Sequence, residues 1–369
     1  VATDQAIGVF FTQSGTGAAT RTVDSKLKDV VSVKDFGAVG NGVVDDTAAI
    51  QAAIDAASTT GKVVFIPAGT YKLVPATPID DEDTSYITFA AILMRSNMHI
   101  QGELGATLKI ADGVSTDVTP KSMGMFCTDT TLSKVSIRNL TLDMNGANNP
   151  ISPLRPTTYR RYNQSQILVS GKPALPAAYM DDVLVEGCSF INNPGVCCIV
   201  LAQSNTIGVG IGRRWAIRNN KFLNNGLDTD DHTSVFAWAD DVEFSGNIVL
   251  NATPFATIGK TGGNTCYEIH GNRHRVTNNL FYNYIRGVWV SSNLTDGEAK
   301  DSIISSNTFY TLFYGVDFFR SVATLGKSSN TLIVGNTFRF DSYTYAAPVP
   351  DQKVAVNIAS SYEQGYVLV

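Results

Sequence analysis

The chain lacks an excess of positive charge, and it lacks any long hydrophobic run. Its 369 residues include 28 Lys and Arg against 33 Asp and Glu, which gives a net charge of −5 and a pI of about 5.4. Binding to nucleic acid needs a basic surface that neutralises phosphates, so this balance argues against such a partner. No apolar run approaches the ~20 residues that span a bilayer, and we expect no membrane insertion. No signal peptide is visible, although a leader lost before Val1 stays open.

Cysteine is also scarce, and its spacing fits neither a metal site nor a disulfide framework. Small apolar thiols are common in protein cores, so we expect buried free cysteines. The five positions are Cys127, Cys188, Cys197, Cys198 and Cys266. No EF-hand-like loop is present either, and the sequence predicts no cofactor and no metal ion.

What the chain does contain is a repeat. Seven segments share one pattern: an apolar residue, two variable residues, an anchor that is usually Asn, one residue, and then usually Phe. The anchors are Leu140, Cys188, Asn220, Asn247, Asn279, Asn307 and Asn336. A repeat of this length with strand-like runs inside each unit is typical of a β-solenoid. We expect the Asn side chains to bond along the axis and the Phe side chains to stack inside.

Residues 32–73 form a compact unit ahead of the repeats. The segment TAAIQAAIDAAS predicts a helix with Ile50, Ala53, Ile54 and Ala57 on one face, N-capped by Asp45 or Asp46. Apolar strands around a Pro-Ala-Gly turn follow it. An open solenoid end exposes unpaired strand edges, so a helix with one apolar stripe is expected to cap that end.

The segments DFGAVGNGVVDDTAAIQAAI and VVFIPAGTY resemble the start of the pectate-lyase-like right-handed β-helix. The upstream TVDSKLKDVVSVKDFGAVG is similar to the neck of bacteriophage tailspikes and tail fibres that degrade host surface polysaccharide. The resemblance covers about residues 20–73. It implies a right-handed parallel β-helix, usually a homotrimer, attached to the phage tail by its N-terminal side, with bacterial surface polysaccharide as its partner.

The predicted fold is therefore all-β: a right-handed parallel β-helix with coils of about 27–32 residues and a short N-terminal capping α-helix. We expect four parts along the chain. These are a neck or linker over 1–30, the start of the β-helix with its capping helix over 31–75, the β-helix over 76–342, and a C-terminal β segment over 343–369. Three loop insertions are expected, at 144–165, 226–234 and 250–265. The last segment either pairs at the far end or precedes a further module.

Aligning the strand that follows each Phe position separates two faces, because side chains alternate along a strand. One face reads as core: Val196, Cys198, Val235, Ala237, Tyr267, Ile269, Val288, Val290, Val316 and Phe318. The other mixes aromatic, acidic and histidine side chains: Cys197, Ile199, Phe236, Trp238, Glu268, His270, Trp289, Ser291, Asp317 and Phe319. We expect this second face to point outward.

That outward composition suits a carbohydrate groove, since sugars offer C–H faces to aromatic rings and hydroxyls to polar groups. Trp238, Trp289 and Phe319 are the candidate platforms. Glu268 and Asp317 are the candidate catalytic pair, two coils apart and so with backbones roughly 10 Å apart. Carboxylates about 6.5–9.5 Å apart suit inverting glycoside hydrolysis. His270 is expected to tune Glu268 or to bind substrate. The alternative is an aromatic face buried between subunits, with solvated acids.

The loop insertions supply further candidates, because long loops on a rigid scaffold often carry function. GLDTDDHTS offers Asp230 and Asp231 as catalytic carboxylates, with turn chemistry as the main alternative. Cation binding is a third interpretation, disfavoured because the loop lacks EF-hand-like spacing. The next loop holds Lys260. The 48-residue coil brings Arg155, Arg160 and Arg161, whose guanidinium groups suit an acidic sugar or a subunit contact.

Three functions stay open at this point. The first is a tailspike depolymerase, an endo-glycosidase that cuts capsule or O-antigen chains. The second is a polysaccharide lyase, with His270, Lys260 and Arg273 as the groups that take the proton and neutralise the uronate. The third is a non-catalytic receptor-binding fibre. The paired carboxylates favour hydrolysis.

Overall fold

A computed structural model describes residues 8–79, 88–115, 122–151, 164–169, 179–201, 212–227, 229, 231–253, 264–291, 298–310, 313–319, 327–340, 353–358 and 367–368. Within these ranges the chain winds as a parallel β-helix with three long sheets. Each coil places one strand in sheet 1, then one in sheet 2, then one in sheet 3. The expected all-β solenoid is confirmed.

Sheet 1 has eleven strands: Val30–Ser32, Val63–Ile66, His99–Gly102, Leu132–Arg138, Met180–Glu186, Gly212–Arg218, Ala239–Ser245, Arg275–Thr277, Ile303–Ser305, Thr331–Val334 and Val367–Leu368. Sheet 2 has ten: Asn41–Asp45, Gly69–Leu73, Ala106–Ile110, Thr141–Asp143, Ser189–Ile191, Lys221–Leu223, Ile248–Leu250, Leu280–Tyr282, Thr308–Tyr310 and Thr337–Phe338.

Sheet 3 also has ten strands: Thr77–Ile79, Thr88–Leu93, Ser122–Thr128, Gln164–Val169, Cys197–Leu201, Thr233–Ala237, Thr265–Ile269, Arg286–Ser291, Tyr314–Phe319 and Val354–Ile358. Its first pair is antiparallel and the remaining pairs are parallel. Two small ribbons complete the strands, an antiparallel pair Phe10–Thr12 with Thr20–Thr22 and a parallel pair Glu298–Lys300 with Lys327–Ser329.

Among the described residues the helices are short, and all but Gly146–Asn148 lie within the first 58 residues. They are the α-helices Val23–Leu27 and Thr47–Ser58 and the 3-10 turns Val33–Phe36 and Gly146–Asn148. The second α-helix is the expected cap, with Ile50, Ala53, Ile54 and Ala57 all buried. Asp46 is its N-cap residue but does not cap through its side chain; its carboxylate accepts the amides of Val39 and Gly40. No helix of the described residues is long and apolar enough to cross a membrane.

The anchor asparagines form a continuous hydrogen-bonded ladder at the turn from sheet 1 to sheet 2. The Asn279 side-chain oxygen accepts the backbone N–H of Asn247 at 2.8 Å, and the Asn247 amide group also donates to it at 3.1 Å. The same pattern links Asn220 to Asn247, Asn279 to Asn307, and Asn307 to Asn336. The predicted Asn stack is confirmed, and it satisfies buried backbone groups that the sharp turn leaves unpaired.

The residue before each anchor holds the left-handed conformation that this turn requires. Its φ lies between 55° and 66° in all seven coils, at Asn139, Gly187, Asn219, Gly246, Asn278, Ser306 and Gly335. Asn and Gly tolerate this region best, which explains why they occupy every one of these positions except Ser306.

The predicted Phe stack is also present, with one interruption. Phe190 and Phe222 stack at 4.6 Å, and Phe309 packs on Phe338 at 4.8 Å. Val249 occupies the position between Phe222 and Phe281. Phe244 from sheet 1 fills this gap, 6.1 Å from Phe222 and 6.3 Å from Phe281. The aromatic column inside the coil is therefore continuous, because sheet 1 supplies a ring where sheet 2 has Val249.

Acidic and basic side chains alternate from coil to coil at the N-terminal ends of the strands of sheet 1, and we call this row the charge ladder. Arg214 contacts Asp182 of the preceding coil at 2.5 Å and Asp181 at 3.2 Å. Arg273 contacts Asp241 of the coil before it at 2.6 Å. Displacing these strands by one coil would bring like charges together, so the ladder favours the native stacking.

Two histidines lie wholly inside the coil, and both ring nitrogens of each contact other groups of the protein. His274 donates from Nε2 to the Ala239 carbonyl at 2.7 Å and accepts the Tyr267 hydroxyl at Nδ1. His232 donates from Nδ1 to the Gly195 carbonyl at 2.7 Å, with the Ser234 hydroxyl 3.4 Å from Nε2. Burial lowers the pKa of each of these two histidines to about 4.

We predict that Asn279→Ala lowers the free energy of unfolding by about 1–3 kcal/mol or more, because it leaves buried donors of Asn247 without an acceptor. Urea unfolding followed by circular dichroism measures the change. Asn278→Gly is the matched control: Asn278 is exposed, and Gly occupies the equivalent place at Gly246 and Gly335. Equal midpoints for the two variants would contradict a stabilising ladder.

We predict that stability falls as the pH drops from about 6.5 to about 4. The folded pKa of His274 is about 4, whereas an unfolded histidine titrates near 6.5. The unfolded chain therefore binds more protons in this window, and protonation favours unfolding. His274→Gln should flatten part of the slope in urea titrations at stepped pH. Above pH 7 the histidine is neutral in both states, so the two curves should run parallel; an unchanged slope below pH 6.5 would contradict the assignment.

Candidate active site on sheet 3

The outer face of sheet 3 carries one continuous column that changes from apolar to polar along the axis. Strand register places one residue of each coil in it, in the order Leu168, Val200, Phe236, Glu268, Trp289, Asp317 and Asn357. Glu268 and Asp317 thus flank Trp289 from the strands on either side, as expected. With strands about 4.8 Å apart, their backbones lie roughly 10 Å apart.

Glu268 and His270 form a buried hydrogen-bonded pair. His270 Nε2 lies 3.1 Å from Glu268 Oε2, and the side chains are 2% and 6% exposed. The Nδ1 atom of His270 is buried without a hydrogen-bond partner among the described residues. A buried imidazole edge of this kind is costly unless a ligand or water completes it.

Aromatic rings enclose the pair on the apolar side of the column. The Trp238 indole stacks on the His270 ring at 5.2 Å and 24°, and the Phe236 ring lies 4.5 Å from it. Phe236 and Trp238 belong to a second hydrophobic cluster, separate from the coil core, together with Val196, Cys197 and Val200. The packing holds the imidazole in one orientation.

Asp317 is held from both sides on the polar end of the column. Its Oδ2 accepts Arg286 Nε at 2.7 Å, and its Oδ1 accepts Asn357 Nδ2 at 2.7 Å. The Arg286 guanidinium lies over the Trp289 ring at 4.9 Å and over the Tyr314 ring at 5.5 Å. Two carboxylates and one histidine therefore converge on the outer face, each with a fixed partner.

The predicted site residues divide into those described and those outside the described ranges. Glu268, His270, Asp317, Trp238 and Trp289 come together on sheet 3. The backbone of Phe319 continues the same strand, beside Ser291. Asp231 is exposed, and its N–H bonds the Thr229 hydroxyl. Outside the described residues lie Asp230, Lys260, Arg155, Arg160 and Arg161.

The alignment of faces needs one correction at the first of these strands. Ile199 pairs with Val235, so Ile199 faces the core and not the outside. Val196 lies in the outer cluster and not in the core. Cys197 and Cys198 keep their expected faces, outer and inner, so the alternation breaks between Cys198 and Ile199. The outward partner of Phe236 is consequently Val200.

Sequence reasoning missed Arg286, Tyr314 and Asn357. Asn357 could have been found by extending the alternation to VAVNI, since Val356 pairs with Val316. Arg286 gave no such signal, because it opens its strand two residues before the inward Val288 and yet reaches the outer face.

All five cysteines are free and buried, as expected. Burial raises the pKa of Cys188 to about 12. Among the described residues, no group of His, Cys, Asp and Glu side chains is arranged to hold a metal ion. A cleft of about 620 Å³ lies between the charge-ladder side chains of sheet 1, and no residue of the sheet 3 column lines it.

Three long sheets of stacked parallel strands, with a polar column on one outer face, define the chain as a parallel β-helix. Residues 30–169 match the family described as rhamnogalacturonase A/epimerase, pectate lyase-like. A solved mutant of the tailspike protein of E. coli bacteriophage HK620, in complex with a pentasaccharide, superposes with a TM-score of 0.71 at 18% identity, covering 95% of this chain and 57% of that one. The resemblance to pectate-lyase-like tailspikes is thus confirmed at the level of fold.

Curated relatives match over shorter stretches. Mannuronan C5-epimerase AlgE2 of Azotobacter vinelandii is 42% identical over 120 residues, 32% of this chain and 11% of the relative. Alginate lyase 7 of the same organism is 42% identical over 85 residues, 22% of this chain and 9% of the relative. The chain spans about a tenth of the length of these two relatives, and the family match ends at residue 169, before Glu268.

Proposed function

We propose that this protein is a tailspike-type depolymerase, an endo-glycosidase that hydrolyses bacterial capsular polysaccharide or O-antigen. The observation that carries the proposal is the placement of Glu268 and Asp317 on either side of Trp289 in one outward column. An aromatic ring between two carboxylates offers a sugar a stacking surface within reach of an acid and a base. The confirmed fold and the pentasaccharide bound by the HK620 tailspike also support a polysaccharide as the substrate.

In this proposal Glu268 is the general acid and Asp317 the general base. The ion pair with Arg286 is made by the ionised Asp317 carboxylate, the form that takes a proton from water. Glu268 would protonate the leaving oxygen, with His270 orienting its carboxyl group. The two carboxylates project from strands two coils apart, and a separation of about 6.5–9.5 Å between them would leave room for the attacking water of an inverting reaction.

The remaining sequence-predicted residues belong to the proposal as substrate contacts. Trp289 and Phe319 would supply aromatic surface, while Lys260 and the arginines at 155, 160 and 161 would bind an acidic sugar. Trp238 is 4% exposed and packs on His270, so it would position that imidazole and not contact the sugar directly. Asp230 and Asp231 stay candidates for a further carboxylate. A homotrimer on a virion tail, attached by its N-terminal side and acting at the host cell surface, is the proposed setting.

We predict that Glu268→Gln and Asp317→Asn each lower the rate of polysaccharide cleavage by at least about 100-fold, because each removes a proton-transfer group. Reducing ends released from purified capsule or O-antigen measure the rate. Asp301→Asn is the matched control, since Asp301 is an exposed carboxylate beside sheet 1 in a left-handed conformation that Asn also tolerates.

Binding should survive both site variants, because the aromatic surface stays. If Glu268→Gln and Asp317→Asn cleave at the wild-type rate, the site assignment is wrong. If the wild type binds polysaccharide and releases no ends, the protein is a receptor-binding fibre and not a depolymerase.

A polysaccharide lyase is the second candidate. It is favoured because the chain is similar in part to mannuronan C5-epimerases and to an alginate lyase. β-Elimination needs a base for the C5 proton and a cation on the uronate. His270 could be the base. Arg273 is less suited than expected, since Asp240 and Asp241 both engage it at the start of sheet 1. Arg286 is likewise paired with Asp317.

The two reactions leave different products. Hydrolysis leaves saturated ends, whereas elimination leaves a 4,5-unsaturated sugar that absorbs in the ultraviolet. We predict new reducing ends without that absorbance when cleavage of the host polysaccharide is followed by both assays. Ultraviolet absorbance that rises in proportion to the reducing ends would establish the lyase and reject the hydrolase.

A further inference from the structure

We infer that Arg286 is a positioning residue that acts through Asp317, and that the strand Val354–Ile358 completes the site. This inference rests on the proposed function for its kinetic part. Its geometric part stands on the contacts of one carboxylate. Both oxygens of Asp317 are engaged, one by Arg286 and the other by Asn357, each at 2.7 Å.

The two partners come from the strands on either side of Asp317. Arg286 belongs to the preceding coil, and Asn357 lies directly beside Asp317 in the last strand of sheet 3. A carboxylate held from opposite directions cannot rotate about its terminal torsion without breaking one contact. Otherwise that torsion is broad and two-fold, so the two partners select one orientation.

The guanidinium is itself held in place. It lies over the rings of Trp289 and Tyr314, at 4.9 and 5.5 Å from their centroids. The Arg286 side chain is 20% exposed and the Asp317 side chain 6% exposed, so the ion pair is shielded from water. A shielded, stacked arginine is pre-organised and loses little conformational freedom when it binds a carboxylate.

Arg286 also connects the two halves of the site. Its ring contact with Trp289 joins the aromatic surface to the carboxylate that would activate water. A sugar that stacks on Trp289 would therefore meet Asp317 in a fixed relation to its ring. Small displacements of a reacting group can cost about 100-fold in rate, so the expected effect lies on the rate of the chemical step.

The experiment compares Arg286→Gln and Arg286→Lys with Arg218→Gln, which is the matched control. Arg218 makes the same Nε-to-carboxylate contact, with Glu186 at 2.9 Å, but on sheet 1. We expect Arg286→Gln to lower kcat by about 10- to 100-fold with KM changed less than threefold. Arg286→Lys keeps the charge and should recover part of kcat. Arg218→Gln should leave both parameters unchanged.

Asn357→Ala tests the same clamp from the other oxygen and should also lower kcat more than it raises KM. It serves in addition as the second variant if Arg286→Gln folds poorly. A loss confined to KM, or a kcat within twofold of wild type for both Arg286→Gln and Asn357→Ala, would overturn the positioning role.

A double-mutant cycle on stability separates this inference from the proposed function. Arg286→Gln, Asp317→Asn and the double variant are unfolded in urea. If Arg286 holds Asp317, the midpoint shift of the double variant is smaller than the two single shifts combined. If the wild type cleaves no polysaccharide, the proposed hydrolase is rejected. The cycle still tests the Arg286–Asp317 interaction in that case, because additive midpoint shifts would show that Arg286 does not hold Asp317.

Discussion

Vertical hydrogen bonding along the coil axis is the constraint on which the rest of this structure depends. Parallel strands pair coil to coil, and every turn must satisfy its own buried backbone groups inside a narrow stack. The asparagine ladder does this at the turn from sheet 1 to sheet 2, where each side chain replaces backbone partners of the previous coil. Because each Asn must face the Asn of the next coil, the ladder favours one register at this turn over the coils that it spans, from Cys188 to Asn336.

Fixed register gives the outer face of sheet 3 its chemistry. Residues far apart in sequence fall into one column because their strands are stacked without offset, and the change from Phe236 through Glu268 to Asp317 follows directly. The column is rigid because its members are bonded or packed sideways as well: His270 by Trp238, and Asp317 by Arg286 and Asn357. The scaffold thus supplies both the spacing and the orientation of the acidic groups.

The fold was largely predictable because the coil has a short, repeated signal. Asn220 and its successors, the Phe positions, and the apolar face of the helix Thr47–Ser58 could all be assigned from spacing alone. The pairing of Glu268 with Asp317 across Trp289 followed from the same alignment.

What could not be predicted depends on local backbone irregularity and on side-chain reach. The alternation breaks between Cys198 and Ile199, and periodicity gives no sign of it. Arg286 reaches the outer face from the start of its strand, and its partner Asp317 lies one coil away. The charge ladder was not predicted, because apolar periodicity says nothing of contacts between exposed residues such as Arg214 and Asp182 on neighbouring coils, or of the left-handed backbone of Arg214.

The most direct test of the proposed site is a crystal structure of the Glu268→Gln variant with an oligosaccharide of the host polysaccharide. We predict a sugar ring stacked on Trp289, with a glycosidic oxygen within hydrogen-bonding distance of residue 268 and a water held by Asp317 on the opposite face of the ring. An oligosaccharide bound elsewhere, for example across the arginines of sheet 1, would contradict it.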